Sequence, residues 1–323
     1  MKTLKRLLCG AAVAGALCAP AVAADSYPTQ PITLVNPYAA GGPADVLGRA
    51  LARELEKQLG KAVIVENKAG GGAAIGANFV ARAKPDGYTL LLGTSAAHVV
   101  TPLMQQTSYD GIKDFAFVSI VANQPNMLVV RPTLKADNIE QLIAMARKEP
   151  GRINYASAGP GSSPHLGAEL FRERTGVDIV HIPYSGAAPA INDLVGGQVD
   201  MAVLNLAASL QFIRSGRLKA LAYANDHRSP LLPDVPTLAE SGVKGAESAS
   251  WYSLAAPKGT PPEILQRLNE AVAKVNADPA YSKLMQAQGV DLWNMTPQQA
   301  TAFVEKDQTA MRKLVQAAGL MKK

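Results

Sequence analysis

The sequence predicts an α/β fold of two lobes, each built on a parallel sheet, with a cleft between them and two crossover strands joining them. Short apolar strands alternate with helices along most of the chain, which is the pattern of parallel sheets covered on both faces. Two strands, 117–122 and 251–255, break the alternation and have no helix directly after them, as links between lobes would. The final stretch, 261–323, is nearly all helical, as a cover packing back on the first lobe would be.

The first strand, 32–35, runs into Asn36-Pro-Tyr-Ala-Ala-Gly-Gly-Pro43. The helix after it carries Val46, Leu47, Ala50, Leu51 and Leu55 on one face, and Pro43 suits its first turn, where a missing amide costs nothing. Strand 63–65 precedes Gly70-Gly-Gly72 and a helix through Phe79, and strand 88–92 precedes Gly93-Thr-Ser-Ala-Ala-His98. The pattern resumes with strand 127–130, a helix at 138–148, strand 153–156 and a helix at 166–174. Strand 179–182 leads through Pro183-Tyr-Ser-Gly-Ala-Ala-Pro189 into a helix ending at Leu194. Strand 199–204 leads into a helix at 206–214, and 218–222 is one more strand. Near the C-terminus Leu265, Leu268, Val272 and Val275 share a helix face, with Leu284 on the next helix. The crossovers divide the chain into a first lobe of 27–124 and 249–323 and a second lobe of 125–248.

The N-terminus reads as a secretory signal: basic Met1-Lys-Thr-Leu-Lys-Arg6, an apolar run over 7–19, and the small-x-small pattern Ala21-Val-Ala23. Cleavage is expected after Ala23, giving a periplasmic protein; a lipid anchor at Cys18 fits less well because Leu17 is bulky. Both cysteines, Cys9 and Cys18, lie in that segment. The mature chain therefore has no disulfide, no thiolate metal site and no cysteine nucleophile. Removing Lys2, Lys5 and Arg6 leaves 29 basic against 26 acidic residues, a net charge of +3. The basic residues are scattered and aromatics are only 5% of the chain, whereas a nucleic-acid groove needs a basic stripe with stacking rings.

In open parallel sheets, ligands sit beyond the carboxyl ends of the strands, where loops meet helix starts. The loops 36–45, 93–98, 155–165, 183–190 and 204–209 hold that position here, and they carry no Lys or Arg. Their candidate binding residues are Tyr38, Ala39, Ala40, Gly41, Gly42 and Asp45 in the first, and Thr94, Ser95 and His98 in the second. The third supplies Ser157, Ala158, Gly159, Ser162, Ser163 and His165; the last two supply Tyr184, Gly186 and Asn205. Helix starts offer unpaired N–H groups and a partial positive charge, small residues let those amides approach, and serine adds donors. An organic anion is the ligand that such a lining fits. Asp45, the one carboxylate in the five loops, is expected to orient amides or water.

Motifs in order along the chain narrow the reading. They are Tyr27-Pro-x-x-Pro-Ile, Pro37-Tyr-x-x-Gly-Gly-x-x-Asp45, Val65-Glu-Asn-Lys-x-Gly70 and Pro85-Asp-Gly-Tyr-Thr-Leu90. Asn154-Tyr-Ala-Ser-x-Gly159, Ser163-x-His-Leu166, Pro183-Tyr-x-Gly186, Gly196-Gly-Gln-Val199, Leu232-Pro-Asp-Val-Pro-Thr237 and Ala256-Pro-x-Gly-Thr-Pro261 follow. From Tyr27 to about Gly319 the chain resembles the extracytoplasmic solute-binding receptors of tripartite tricarboxylate transporters, the Bug receptors. The resemblance implies a two-lobe type II periplasmic binding fold that closes on an organic anion and delivers it to membrane permease subunits. Asn36 and the Ala39-Ala40 pair depart from the apolar and Ala-Pro variants common at the first loop, which bears on ligand identity.

Other chemistries fit less well. Gly70-Gly-Gly-Ala-Ala-Ile-Gly76 fails G-x-G-x-x-G and lacks the Walker lysine, so it reads as a packing turn or a cleft wall. Ser162, Ser163 and His165 suggest an exported serine hydrolase, but the chain has no G-x-S-x-G elbow. His98, His165, His181 and His227 have no metal-ligand spacing, and no cofactor or metal is expected. The expectation is a monomeric receptor, without catalysis, for a mono- or dicarboxylate. The lack of Arg and Lys in the loops argues against a trianion held by forked salt bridges. Tyr38 beside Ala39 and Ala40 leaves room for something flat, which keeps an aromatic dicarboxylate of the phthalate type beside aliphatic diacids.

Overall fold

The computed structural model describes residues 27–322. The signal segment and the cleavage expected after Ala23 lie outside the described residues. Ile32–Asn36 is β1 and Pro43–Leu59 is α1, followed by β2 (Val63–Asn67), α2 (Ala74–Ala81) and β3 (Thr89–Thr94). A π-helical turn, Ala96–Val100, runs into α3 (Thr101–Met104), and Phe115–Val130 forms the long strand β4. Next come α4 (Ile139–Lys148), β5 (Asn154–Ser157), α5 (Ser163–Thr175), β6 (Val180–Pro183) and α6 (Ala187–Val195). They lead to β7 (Met201–Asn205), α7 (Leu206–Arg214) and β8 (Lys219–Ala224). The chain closes with β9 (Ala249–Pro257), α8 (Pro262–Ala277), α9 (Pro279–Gln286), β10 (Asp291–Leu292) and α10 (Pro297–Ala317).

Two parallel triplets form the centres of two lobes: β1 lies between β2 and β3, and β5 lies between β6 and β7. The crossover strands run antiparallel to both. β9 pairs β3 and the first part of β4, whereas the second part of β4 pairs β7 and β8. The sequence suggests two short strands around Asn-Gln-Pro-Asn126, but β4 is continuous through Pro125. That proline sits where β4 changes partners, from β10 at Asn123 to β7 and β8 at Asn126, so its missing N–H interrupts neither ladder.

Helices cover both sheets. Leu47, Leu51 and Leu55 of α1 and Leu268, Val272 and Val275 of α8 pack with Leu34, Leu90 and Leu92. In the second lobe, Leu142 and Phe171 meet Leu128, Tyr155 and Val203 on one face; Ile191, Leu194 and Leu210 meet Met127, Ala156 and Leu204 on the other. Each such side chain contributes about 2 kcal/mol over leaving it exposed. Val46 and Leu284, assigned to apolar faces from the sequence, are 43% and 52% exposed. At 3.6 residues per turn the α1 stripe is Leu47-Leu51-Leu55-Leu59, which leaves Val46 off its edge, while Tyr281 and Met285 form the buried pair of α9. α1 ends at Gly60, whose left-handed conformation (φ 70°) lets its N–H close on the Glu56 carbonyl.

Candidate functional site

The carboxyl ends of the parallel strands from both lobes meet around a cavity. Of the loop residues singled out in the sequence, Tyr38, Gly42, Thr94, Ser95, Ala158, Ser162, Ser163 and Asn205 line it. Pro43, Ala44, Ala96, Pro164, Ala187, Ser250 and Tyr252 complete the wall, and no charged side chain is among these residues. Three helices begin at the cavity without a side-chain cap: α1 at Gly42, α6 at Gly186 and α7 at Asn205. Their first amides and the positive ends of their dipoles give an uncharged wall a preference for an anion. A second cavity shares Tyr38 and Ala158 with the first and is bordered by Gly70, Gly71, Gly72, Ala73, Gln105, Gly159, Pro160 and Tyr184.

Several small loop residues prove to have another task. Gly41 and Gly42 face Ala188 and Ala187 across the cleft, and a Cβ placed on Gly186 would stand 3.2 Å from the Ala39 amide nitrogen. A Cβ on Gly72 would run into the Pro160 carbonyl. These positions are small because the two lobes touch there. Ala40 is exposed.

Asp45 shapes the first loop without lining the cavity. Its carboxylate accepts from the Gly41 amide (3.0 Å), Arg49 Nε (3.0 Å) and Asn67 Nδ2 (2.9 Å), while Asn67 Nδ2 also donates to the Tyr38 carbonyl (3.0 Å). Burial raises the Asp45 pKa, but Arg49, Gly41 and Asn67 outweigh it and hold the carboxyl below its usual range. Asp45→Asn is expected to cost about 1 kcal/mol at neutral pH. A carboxyl held low contributes fully above the unfolded pKa of about 3.9 and loses that contribution as pH falls through the folded value. Thermal melts of both proteins along an acid series should therefore show the gap closing below that pH. A gap independent of pH would assign the effect to packing.

The histidines turn away from the cavity. His98 is fully buried, its Nδ1 2.7 Å from the Gly111 carbonyl and its Nε2 3.1 Å from Ser253 Oγ, and burial pushes its pKa down to about 4. The expectation that it contacts ligand is corrected: the π-helical turn points it into the first lobe, beside Phe115, Phe117 and Trp251. His165 is 3% exposed and supports its loop by accepting the Gly161 N–H at Nδ1 (3.1 Å). Its ring stacks on His181 at 4.2 Å, and burial, then the neighbouring His181, lower its pKa to about 4. Ser157 is likewise buried, bonded to His181 Nε2 at 2.7 Å, and the Tyr184 hydroxyl donates to Asp193 at 2.6 Å.

The hydrolase geometry is not present in this loop. Ser162 Oγ donates to the Gly159 carbonyl (2.7 Å) and caps α5 by accepting from the His165 amide (3.3 Å), and Ser163 Oγ accepts from Asn126 Nδ2 (2.7 Å). Neither hydroxyl is hydrogen bonded to the His165 ring.

Behind the cavity lies a polar knot on the crossovers. Asn205 Nδ2 donates to Asn126 Oδ1 (2.8 Å) and Ser250 Oγ (2.9 Å), Asn126 Nδ2 to Ser248 Oγ (2.9 Å), and Tyr252 Oη to Gln124 Oε1 (3.0 Å). The sequence does carry a signal for these residues: Gln124, Asn126 and Ser250 are polar side chains inside otherwise apolar buried strands.

The family model described as tripartite tricarboxylate transporter family receptor matches residues 47–320. The chain belongs to that receptor family. Protein BugT of Bordetella pertussis is 41% identical over 297 residues, spanning 91% of each chain. Among solved structures, the R. palustris protein Rpa4515 with adipate superposes with a TM-score of 0.88 at 36% identity, covering 91% of this chain and 98% of that one. MatC from Rhodopseudomonas palustris with bound malate gives 0.86 at 30% identity, covering 90% and 100%. The receptor has the two-lobe periplasmic binding fold, and its motifs from Tyr27 onward are those of a solute-binding protein.

Proposed function

We propose that this receptor captures a small mono- or dicarboxylate in the cavity between its lobes and delivers it to the permease subunits of a tripartite transporter. It acts in the periplasm as a monomer, after cleavage behind Ala23, and catalyses no reaction. One lobe comprises 27–124 and 249–323, the other 125–248. The observation that carries this reading is the uncharged wall onto which three uncapped helix starts open. Neutral donors suit one or two carboxylates, and an aromatic dicarboxylate remains within that class. That one structural relative holds adipate and another malate supports the class.

A thermal-shift panel of carboxylates tests the reading. At about 100 times its Kd, a true ligand stabilises the protein by about 2.7 kcal/mol. The shift should persist in EDTA, since among the described residues no three metal-ligating side chains cluster. A panel without any shift, or a shift abolished by EDTA and restored by one divalent ion, would overturn it.

A further inference from the structure

The polar groups of the cavity differ in what their hydrogen bonds to the protein leave for a ligand. Ser95 Oγ donates to Asp307 Oδ2 at 2.9 Å, and Ser162 Oγ donates to the Gly159 carbonyl. The Asn205 amide nitrogen is committed to Asn126 and Ser250, and also faces the Gln124 carbonyl at 3.3 Å, which fixes its orientation. A hydroxyl or amide whose hydrogens are spent on the protein has only oxygen lone pairs left for a ligand. Ser250 Oγ accepts from Asn205, and the Tyr252 hydroxyl spends its hydrogen on Gln124. Hydrogens remain on Ser163 and Ser250, which accept from Asn126 and Asn205, on one hydroxyl of the Tyr38–Thr94 pair (3.3 Å), and at the amides of the uncapped helix starts.

Ser95 has a charge behind it. Asp307 reaches in from α10 and accepts from both Ser95 and Trp251 Nε1 (3.1 Å). Both partners are neutral donors, and among the described residues no cationic side chain forms an ion pair with it; burial raises its pKa against the two hydrogen bonds. Ser95 and Asn205 also stand close along β9: Thr94 pairs Tyr252 in register, and Asn205 binds Ser250 two residues along the same strand. A second carboxylate placed against Ser95 would meet lone pairs and a half-buried carboxylate, whereas an O–H or N–H would be received.

We propose that the receptor's ligand is a carboxylate that also carries a hydrogen-bond donor, a hydroxyl or an ammonium group, and that Ser95, backed by Asp307, and Asn205 receive that donor. This rests on the carboxylate-receptor reading and narrows it. The carboxylate lies at the helix starts with Ser163, and the donor points to the end of β3.

Calorimetry with matched pairs tests it: butyrate against 3-hydroxybutyrate and 4-aminobutyrate, benzoate against 4-hydroxybenzoate, with succinate and glutarate as diacids. The member bearing the donor should bind about tenfold tighter in at least one pair. Ser95→Ala should erase that advantage. Asp307→Asn keeps an oxygen for Ser95 and Trp251 but removes the charge, so it should weaken the ammonium preference and improve diacid binding. Melting of the unliganded variants establishes that they fold. Equal binding within every pair, or an advantage unchanged in both variants, overturns this proposal and leaves the receptor reading standing. If none of these nor any other carboxylate binds, the receptor reading itself fails.

Discussion

Gly42→Thr is expected to cut ligand affinity about a hundredfold, equivalent to about 2.7 kcal/mol, with little change in the melting temperature of the free protein. Gly42 has φ −80° and ψ 172°, a conformation open to any residue, and threonine starts a helix about as well as glycine, so the fold accepts the change. The cost arises between the lobes. A Cβ at Gly42 would already be in contact with Ala187 Cβ (3.9 Å) and the Ala39 carbonyl (3.6 Å), and the two further atoms of threonine would extend from it into the shut cleft, whose wall Gly42 forms. Overpacking of this size costs about 1–3 kcal/mol, charged against the closed form alone. Calorimetry with any ligand found in the carboxylate panel checks it. Wild-type affinity would mean that the contact between Gly42 and Ala187 is no part of the bound state.

That contact also explains where the sequence was legible and where it was not. The strand–loop–helix rhythm, with apolar strands ending in small-residue loops, identifies the fold because each lobe repeats it and each helix start falls at a strand end. The small residues of the loops make room for a ligand at Gly42, Ser95 and Ser163, which line the cavity. Ala39, Gly72 and Gly186 are small for a different reason, the approach of one lobe to the other. Both demands select the same residue types, so composition alone does not separate them. His98 illustrates a second limit. It follows Thr94 and Ser95 in a cleft loop, and only the π-helical turn over Ala96–Val100 sends it into the core. Ser250 and Tyr252 lie on a crossover strand, where no helix start marks the site. Asp307 is more than 200 positions from Ser95, and pairs that distant come together only through the tertiary fold.

Ligand binding should shrink the molecule. The free protein is expected to have a larger radius of gyration in small-angle scattering than the protein at saturating ligand, with each lobe superposing on itself as a rigid body. A ligand touching both walls of the cavity stabilises the arrangement in which both sets of contacts are made, and the gain is the difference between its affinities for the closed and open forms. The wall residues come from both sides, Tyr38, Thr94 and Ser95 from one lobe and Ala158, Ser162 and Asn205 from the other. Opening is cheap where the lobes meet through glycine and alanine, which bury little apolar area between them. It is expensive within each lobe, where the leucine-rich cores lie. The dihedral change should therefore concentrate on the crossovers, near 122–126 and 247–251. There β4 changes partners at Pro125 and Asn126, and the Asn126 amide donates to the Ser248 carbonyl at 3.0 Å, which ties the two crossovers together. Asn126 and Asn205 also link this hinge to the cavity through Ser163 and Ser250, so a ligand that orders those side chains acts directly on the segment that bends. Identical scattering with and without saturating ligand would overturn the closure, because a cleft that never opens gives the ligand no second state to select against.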